Sequence, residues 1–509
     1  MLSNSCGGFP FSAIAVVAKH LNGVTPPTGR HPIKLLISDI LSDISAKDVI
    51  RRTRSAERYI LQMSEQVSEQ QPTRAASHAE SELSRPAIRG PLASMWALFL
   101  GVLAMMLGNG LQGTALGVRA TTEAFAVTVI GLIQAAYYVG FLIGSRFTVR
   151  ALRKVGHIRV FAALASLAST SFVLPALFVN PVLWLVMRMI TGFCLAGLYV
   201  VIESWLNDQT EPENRGRTLS IYMVVTMSGV TGGQLLLNVA DPSGFELFVI
   251  ASALMSVALV PMALSEASAP RLPPKSTLRF SELLKVVPTG IITMFFSGMG
   301  AGAIFAIGPV YAAQIGMSTR QISFFMAAAL VGSVVLQMPI GSLSDRLPRR
   351  GVMLGTAILA TGASVFGVGT GLGSDALIAM FLIGGSSFPL YSLAIAYTND
   401  WITDEQRVGA SAFLVMVNGI GAIVGPLVAS LLISGIGASG FFWTLAATHV
   451  LLAGYLVFRI VARDPVPVED QSPYRPYPAR SSALATSIGR RVPKPKRSAL
   501  PNRKRRSTD

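Results

Sequence analysis

The chain has 509 residues, of which 51% are hydrophobic and only 13% charged, with a formal net charge of +16. Soluble domains carry roughly a quarter of their residues as charges, so a water-soluble globular fold is excluded: it could not hide this much apolar surface. Two cysteines, Cys6 in a polar region and Cys194 inside an apolar run, offer neither a disulfide framework nor a thiolate metal site.

Residues 1–90 mix polar runs with one short apolar patch, "FSAIAVVA", which lacks the basic flank and small-residue cleavage site of a signal peptide. They are expected to form a disordered cytoplasmic extension, the alternative being a translation start further in. Twelve apolar windows follow, near 93–117, 124–146, 157–178, 181–206, 216–240, 244–264, 286–313, 320–343, 351–371, 374–399, 408–433 and 439–461. Each is close to the ~20 residues that cross a hydrocarbon core as a helix. They lack the alternation of a membrane barrel, and backbone amides in lipid must pair within their own segment. The expected fold is therefore an all-α polytopic membrane protein of twelve transmembrane helices. A polar, Pro-containing linker at 265–285 separates a first six-helix half (91–264) from a second (286–462). The tail, 463–509, is Pro-rich and basic ("RRVPKPKRSALPNRKRR") and reads as a solvated, disordered chain or as a segment that holds anionic lipid.

The positive charge does not point to nucleic acid, because its distribution follows the spans. Loops on one side carry fifteen Lys or Arg, from Arg146 to Arg407, whereas the other side carries only Arg119 and Arg320. This asymmetry places the basic loops and both termini in the cytoplasm of a bacterial inner-membrane protein.

The halves are internally related. A shift of 192 sets Asn207 and Asp208 on Asn399 and Asp400, Gly192 on Gly384, Tyr199 on Tyr391, and Val149 to Arg159 on Gly341 to Gly351. With one extra residue, Gly216 meets Gly409 and Gly232 meets Gly425. A duplication of six helices accounts for these matches together.

The loop after the eighth span reads Gly341-Ser-Leu-Ser-Asp345-Arg346-Leu-Pro-Arg349-Arg350. It resembles the G-x-x-x-D-R-x-G-R-R loop of the major facilitator superfamily, with Pro348 where that family usually has Gly. The copy after the second span is decayed, with Arg153 at the Asp position, Lys154 after it and Gly156 kept. The stretch "RMITGFCLAGLYVVIESWLNDQTEPENRGRTLSIYMVV" is similar to the fourth-to-fifth helix region of the YcaD-like branch, including Glu203-Ser204. The resemblance implies two pseudo-symmetric six-helix halves and alternating access. An acid at the end of one helix can cap the positive start of another, and nearby arginines can hold facing carboxylates. Asp345 is thus expected to face the start of the fifth span, at Arg215, Gly216 and Arg217, while Arg346, Arg349, Arg350, Asp208, Asp400 and Arg407 complete the gate. With Arg153 in place of Asp, the first-half latch should be altered. The bland alternative is that these charges only fix topology.

Away from their ends, the spans hold two charges, Arg188 and Glu203, both in the fourth. A mid-bilayer charge costs about 2.5–3.5 kcal/mol on insertion scales, so it needs pairing or a function. Arg188 with Gly192 forms R-x-x-x-G, similar to the family's helix-four motif associated with proton coupling. Arginine does not titrate, so Glu203 is the candidate proton carrier, or else the partner of Arg153 or Lys154 in the gate. By the family plan the cavity is lined by Asn109, Gln112, Tyr199, Tyr311, Tyr391 and Tyr397, joined by Gln134, Tyr138, Gln337 and Asn418; each could equally be a satisfied interhelical hydrogen bond. The antiporter Gly-Pro is missing from the fifth span, which reads Gly232-Gly233.

No H-E-x-x-H and no G-x-x-x-x-G-K-[ST] occur, which argues against a metallohydrolase and an ATP-driven pump. The expected function is secondary transport of a small organic solute of low charge, without a cofactor, by a monomer. A multidrug/proton antiporter and a non-transporting sensor are the alternatives.

Overall fold

The computed structural model describes residues 95–211, 214–263, 278–403, 405–462 and 466–477. The predicted extension at 1–90, most of the linker and the basic run at the end of the tail lie outside these residues. The first half comprises α1 (Trp96–Thr122), α2 (Val127–Val155), α3 (His157–Leu177), α4 (Pro181–Gln209), α5 (Arg215–Leu235) with a 3-10 turn at Leu236–Val239, α6 (Glu246–Val257) and α7 (Leu259–Ala263). The second comprises α8 (Phe280–Val286), α9 (Pro288–Gln314), α10 (Thr319–Arg346), α11 (Arg349–Val368), α12 (Ser374–Ser387), α13 (Pro389–Asn399), α14 (Arg407–Ile436) and α15 (Gly440–Ala462). Among the described residues, eleven of the twelve expected spans are long and apolar enough to cross a membrane, α12 and α13 together forming one of them. The sixth is the shorter apolar pair α6–α7. The last residues of the predicted linker are not irregular: they form α8, whose Glu282 carboxylate accepts from the Arg279 backbone N–H at 3.4 Å.

Local chemistry sets the boundaries. Asn180 caps α4 by accepting from the N–H groups of Val182 and Leu183 at 2.9 and 3.0 Å, with Pro181 in the first turn where no donor is missed. Gly156 ends α2 at φ +85°, a conformation that glycine adopts without strain. Its counterpart Pro348, at φ −56°, cannot, so the two related loops turn differently.

The repeat recurs in the packing. A Cβ on Gly192 would overlap the Tyr137 carbonyl oxygen, and one on Gly384 the Ala329 carbonyl; Gly140 and Gly332 stand likewise against Met189 and Phe381. Gly229 and Gly233 approach Leu103 and Leu107 as Gly421 and Gly425 approach Phe295 and Met299. Every pair is related by 192, so the extra residue inferred between Gly232 and Gly425 is not needed: Gly233 is the counterpart of Gly425. Small residues allow this backbone approach in lipid, where dispersion and not the hydrophobic effect holds helices together.

The halves meet along α2–α14, α5–α10 and α1–α9, with α2–α14 packed much more extensively than α5–α10. We call the end of the bundle that carries the basic loops the basic end. Several cross-half contacts gather near the opposite end: Asn238 Nδ2 donates to Ser323 Oγ at 2.9 Å, Ser323 Oγ donates to the Gln234 carbonyl at 2.6 Å, and Gly117 packs on Pro309 and Val310.

Candidate functional site

Three helices of the first half converge on Arg188. Its guanidinium donates to Gln112 Oε1 on α1 and to Gln134 Oε1 on α2, both at 2.7 Å, and lies 4.7 Å from the Tyr137 ring centroid. The planar fork suits two carbonyl acceptors, and the ring face adds a cation–π term. Since Gln112 presents its oxygen to Arg188, its Nε2 is a donor directed elsewhere. That nitrogen and Asn109 Nδ2 are buried without a hydrogen-bond partner among the described residues. Asn109, Tyr138 and Arg188 line, with Phe305 and Ala306 of the second half, a cavity of about 20 Å³. This is room for roughly one water, so the pocket is closed to a solute in this state.

The duplication stops at the polar groups. At the positions 192 residues on from Asn109, Gln112, Gln134 and Arg188 stand Ala301, Ile304, Met326 and Met380. The polar cluster therefore belongs to one half, although the packing glycines belong to both.

Other cavity candidates lie elsewhere. Tyr199 donates to Met106 Sδ at 3.1 Å. Asn418 donates to the Met294 carbonyl at 3.2 Å, and Tyr311 is packed among Phe325, Phe441 and Phe442. Tyr391 is buried in α13. Gln337 donates to Ser392 Oγ at 3.4 Å and borders an apolar groove of about 570 Å³ between α5 and α10, lined by Met223, Met227, Val331, Val334 and Leu235. Tyr397 accepts from Arg350 Nε at 3.2 Å at the basic end.

The gate candidates divide sharply between the halves. In the second, Arg349 Nε donates to Asp400 at 2.7 Å, each side chain 1% exposed, and its other nitrogens reach Ser344 Oγ and the Ser472 carbonyl. Arg350 donates to the Arg459 carbonyl at 2.8 Å. Asp345 does not take the expected place at the start of α5: it accepts from the Tyr474 backbone N–H at 2.8 Å and lies 3.8 Å from Arg349. Arg346 and Arg217 are exposed, Arg407 is half-buried at the start of α14, and the side chain of Arg215 is outside the described residues. In the first half, Arg153, Lys154 and Asp208 are exposed. Glu203 is fully buried and accepts from Tyr222 Oη at 3.0 Å, while Arg153 and Lys154, its expected partners, stand exposed.

Sequence reasoning does not single out Tyr137, Ser344, Ser392 or Tyr222. Nor does it give the tail a place in the site, yet Ser472, Tyr474 and Tyr477 dock on the second half, and the doubled Pro-Tyr of "SPYRPY" is the one visible sign of it. Burial pushes the Tyr474 phenol up to about 12, and the Tyr477 phenol also upward, so both are neutral in the docked tail at neutral pH.

The family model for the Major Facilitator Superfamily matches residues 98–318 and 290–504. The MFS-type transporter YcaD of Escherichia fergusonii is 26% identical over 339 residues, covering 65% of this chain and 86% of that protein. YcaD of Salmonella typhi is 24% identical over 380 residues, covering 73% and 97%. Among solved structures, the nucleoside transporter NupG aligns with a TM-score of 0.59 at 13% identity, over 72% of this chain and 99% of that one. A bacterial homologue of the human lysosomal transporter Spinster, in an inward-facing and occupied conformation, aligns with a TM-score of 0.60 at 14% identity, over 76% and 99%.

Proposed function

The chain belongs to the Major Facilitator Superfamily and is a secondary transporter, not an enzyme; from that premise we propose that it carries a small organic solute with a single negative charge, bound at Arg188. The observation that carries this reading is the donor set at the seam: a guanidinium beside two buried amide nitrogens, Asn109 Nδ2 and Gln112 Nε2. Such a set favours a carboxylate or a comparable acceptor group and disfavours a cation. Contacts near the opposite end, with the basic end facing the cytoplasm, support an inward-facing resting state from which the halves rock about the site.

A thermal-shift screen of organic anions, cations and neutral solutes tests the substrate class, since a ligand at 100 times its Kd adds about 2.7 kcal/mol to the folded state. Monocarboxylates are expected to stabilise the wild type, and Arg188→Ala to lower the stabilising ligand's uptake into proteoliposomes at least tenfold. Stabilisation by cations alone would sink the proposal. For proton coupling the carrier is Glu203, a buried carboxylate towards the basic end of α4; proton-linked uptake that survives Glu203→Gln removes it from that role.

A further inference from the structure

Beyond α15 the chain turns back beneath the second half. A 3-10 turn at Val468–Asp470 leads into irregular backbone from Gln471 to Tyr477. The Ser472 N–H donates to Asp400 Oδ1 at 2.7 Å, while its carbonyl accepts from Arg349. The Tyr474 N–H donates to Asp345, and its ring lies so close on Gly341 that any Cβ there would overlap it. The Tyr477 N–H donates to Ser392 Oγ at 3.0 Å, inside the span formed by α12 and α13. Pro476 completes the α5–α10 groove beside Ser220 and Met223 of the first half and Gln337 and Met338 of the second.

These contacts have a common logic. Asp345, Arg349 and Asp400 are three of the gate charges of the second half, and in this state the tail's backbone groups occupy all three. A short Pro-Tyr segment is well suited to the task, because proline lowers the entropy lost on docking and tyrosine brings a large apolar body. With Pro476 at the seam, the segment also stands where the two halves must approach for the basic end to shut.

We propose that residues 471–477 are an autoinhibitory plug, which docks in the mouth between the halves, holds the gate charges of the second half and keeps the basic end from closing. The gate is then free to cycle only when the segment leaves.

The test reads access directly and needs no substrate, so its outcome is separate from that of the solute proposal. In full-length protein in liposomes, with Cys6→Ser and Cys194→Ala, a single cysteine is placed by Met223→Cys, a groove position beside Pro476. Its labelling by a membrane-impermeant maleimide is timed. Three release variants are compared: Gly341→Ala, which evicts the Tyr474 ring; Tyr474→Ala with Tyr477→Ala; and a chain ended after Asp470. Labelling is expected to quicken at least fivefold in each variant that folds. A synthetic peptide of residues 466–477 should slow it again in the shortened chain, and the same peptide with both tyrosines changed to alanine should not. Equal rates in the full-length chain and in the folded release variants overturn the proposal, whether fast or slow. So does a peptide that acts equally well without its tyrosines.

Discussion

Arg349 and Asp400 face each other at 2.7 Å with almost no exposure, and this pair makes the sharpest prediction at the scale of single residues. Removing one partner of such a pair leaves a buried charge uncompensated, at a cost of about 3–5 kcal/mol. Asp400→Asn is therefore expected to lower the melting temperature in detergent markedly, and Arg349→Met with Asp400→Leu should recover part of the loss. An unchanged melting temperature in Asp400→Asn would show that the pair is wetter than its burial implies. The pair is half legible in the sequence, where the shift of 192 sets Asp400 on Asp208 and Arg349 on His157. The convergence of Gln112 and Gln134 on Arg188 is not. Spacing along a helix shows which side chains share a face, but not which three helices meet, and nothing in the spacing sets Tyr137 apart from its neighbour Tyr138. Glu203 misleads because a carboxylate near the basic end invites pairing with Arg153 and Lys154, whereas the fold buries it beside Tyr222 and leaves those two exposed.

Among elements, the glycine contacts are decisive. Gly140 and Gly332 each set a helix backbone against a carbonyl of its neighbour, whereas Gly355 has open space where its Cβ would be. Alanine at either of the first two must push helices apart or strain them, costing about 1–3 kcal/mol. Gly355→Ala should be neutral or stabilising by up to about 1 kcal/mol, because alanine is the better helix former. Thermal unfolding of the three variants checks both directions, and a loss at Gly355 matching that at Gly140 would sink the packing account. The helices are readable because lipid demands long apolar runs and these glycines repeat at a fixed offset. The break before Pro389 is not, as the apolar run continues through it, and neither is α8, a short charged stretch that adjoins the Pro-containing linker.

For the whole molecule, the contacts near the opposite end predict a staple. Asn238→Cys with Ser323→Cys places two thiols where a hydrogen bond now spans the halves. Oxidation should stop solute flux and reduction restore it; full flux through the oxidised form would mean that this end does not part during transport. The six-plus-six plan is legible from charge bias and repetition, while the ordered tail is not. Its composition, rich in proline and charge, is that of a disordered chain, and only docking on a surface formed by distant residues orders it.

The seams between the halves are unequal: α2–α14 is tightly joined, whereas α5–α10 leaves a long oily furrow. Such a body cannot open like a symmetric clam. The inequality predicts the swing of a door, with α2–α14 as the jamb and α5–α10 as the free edge.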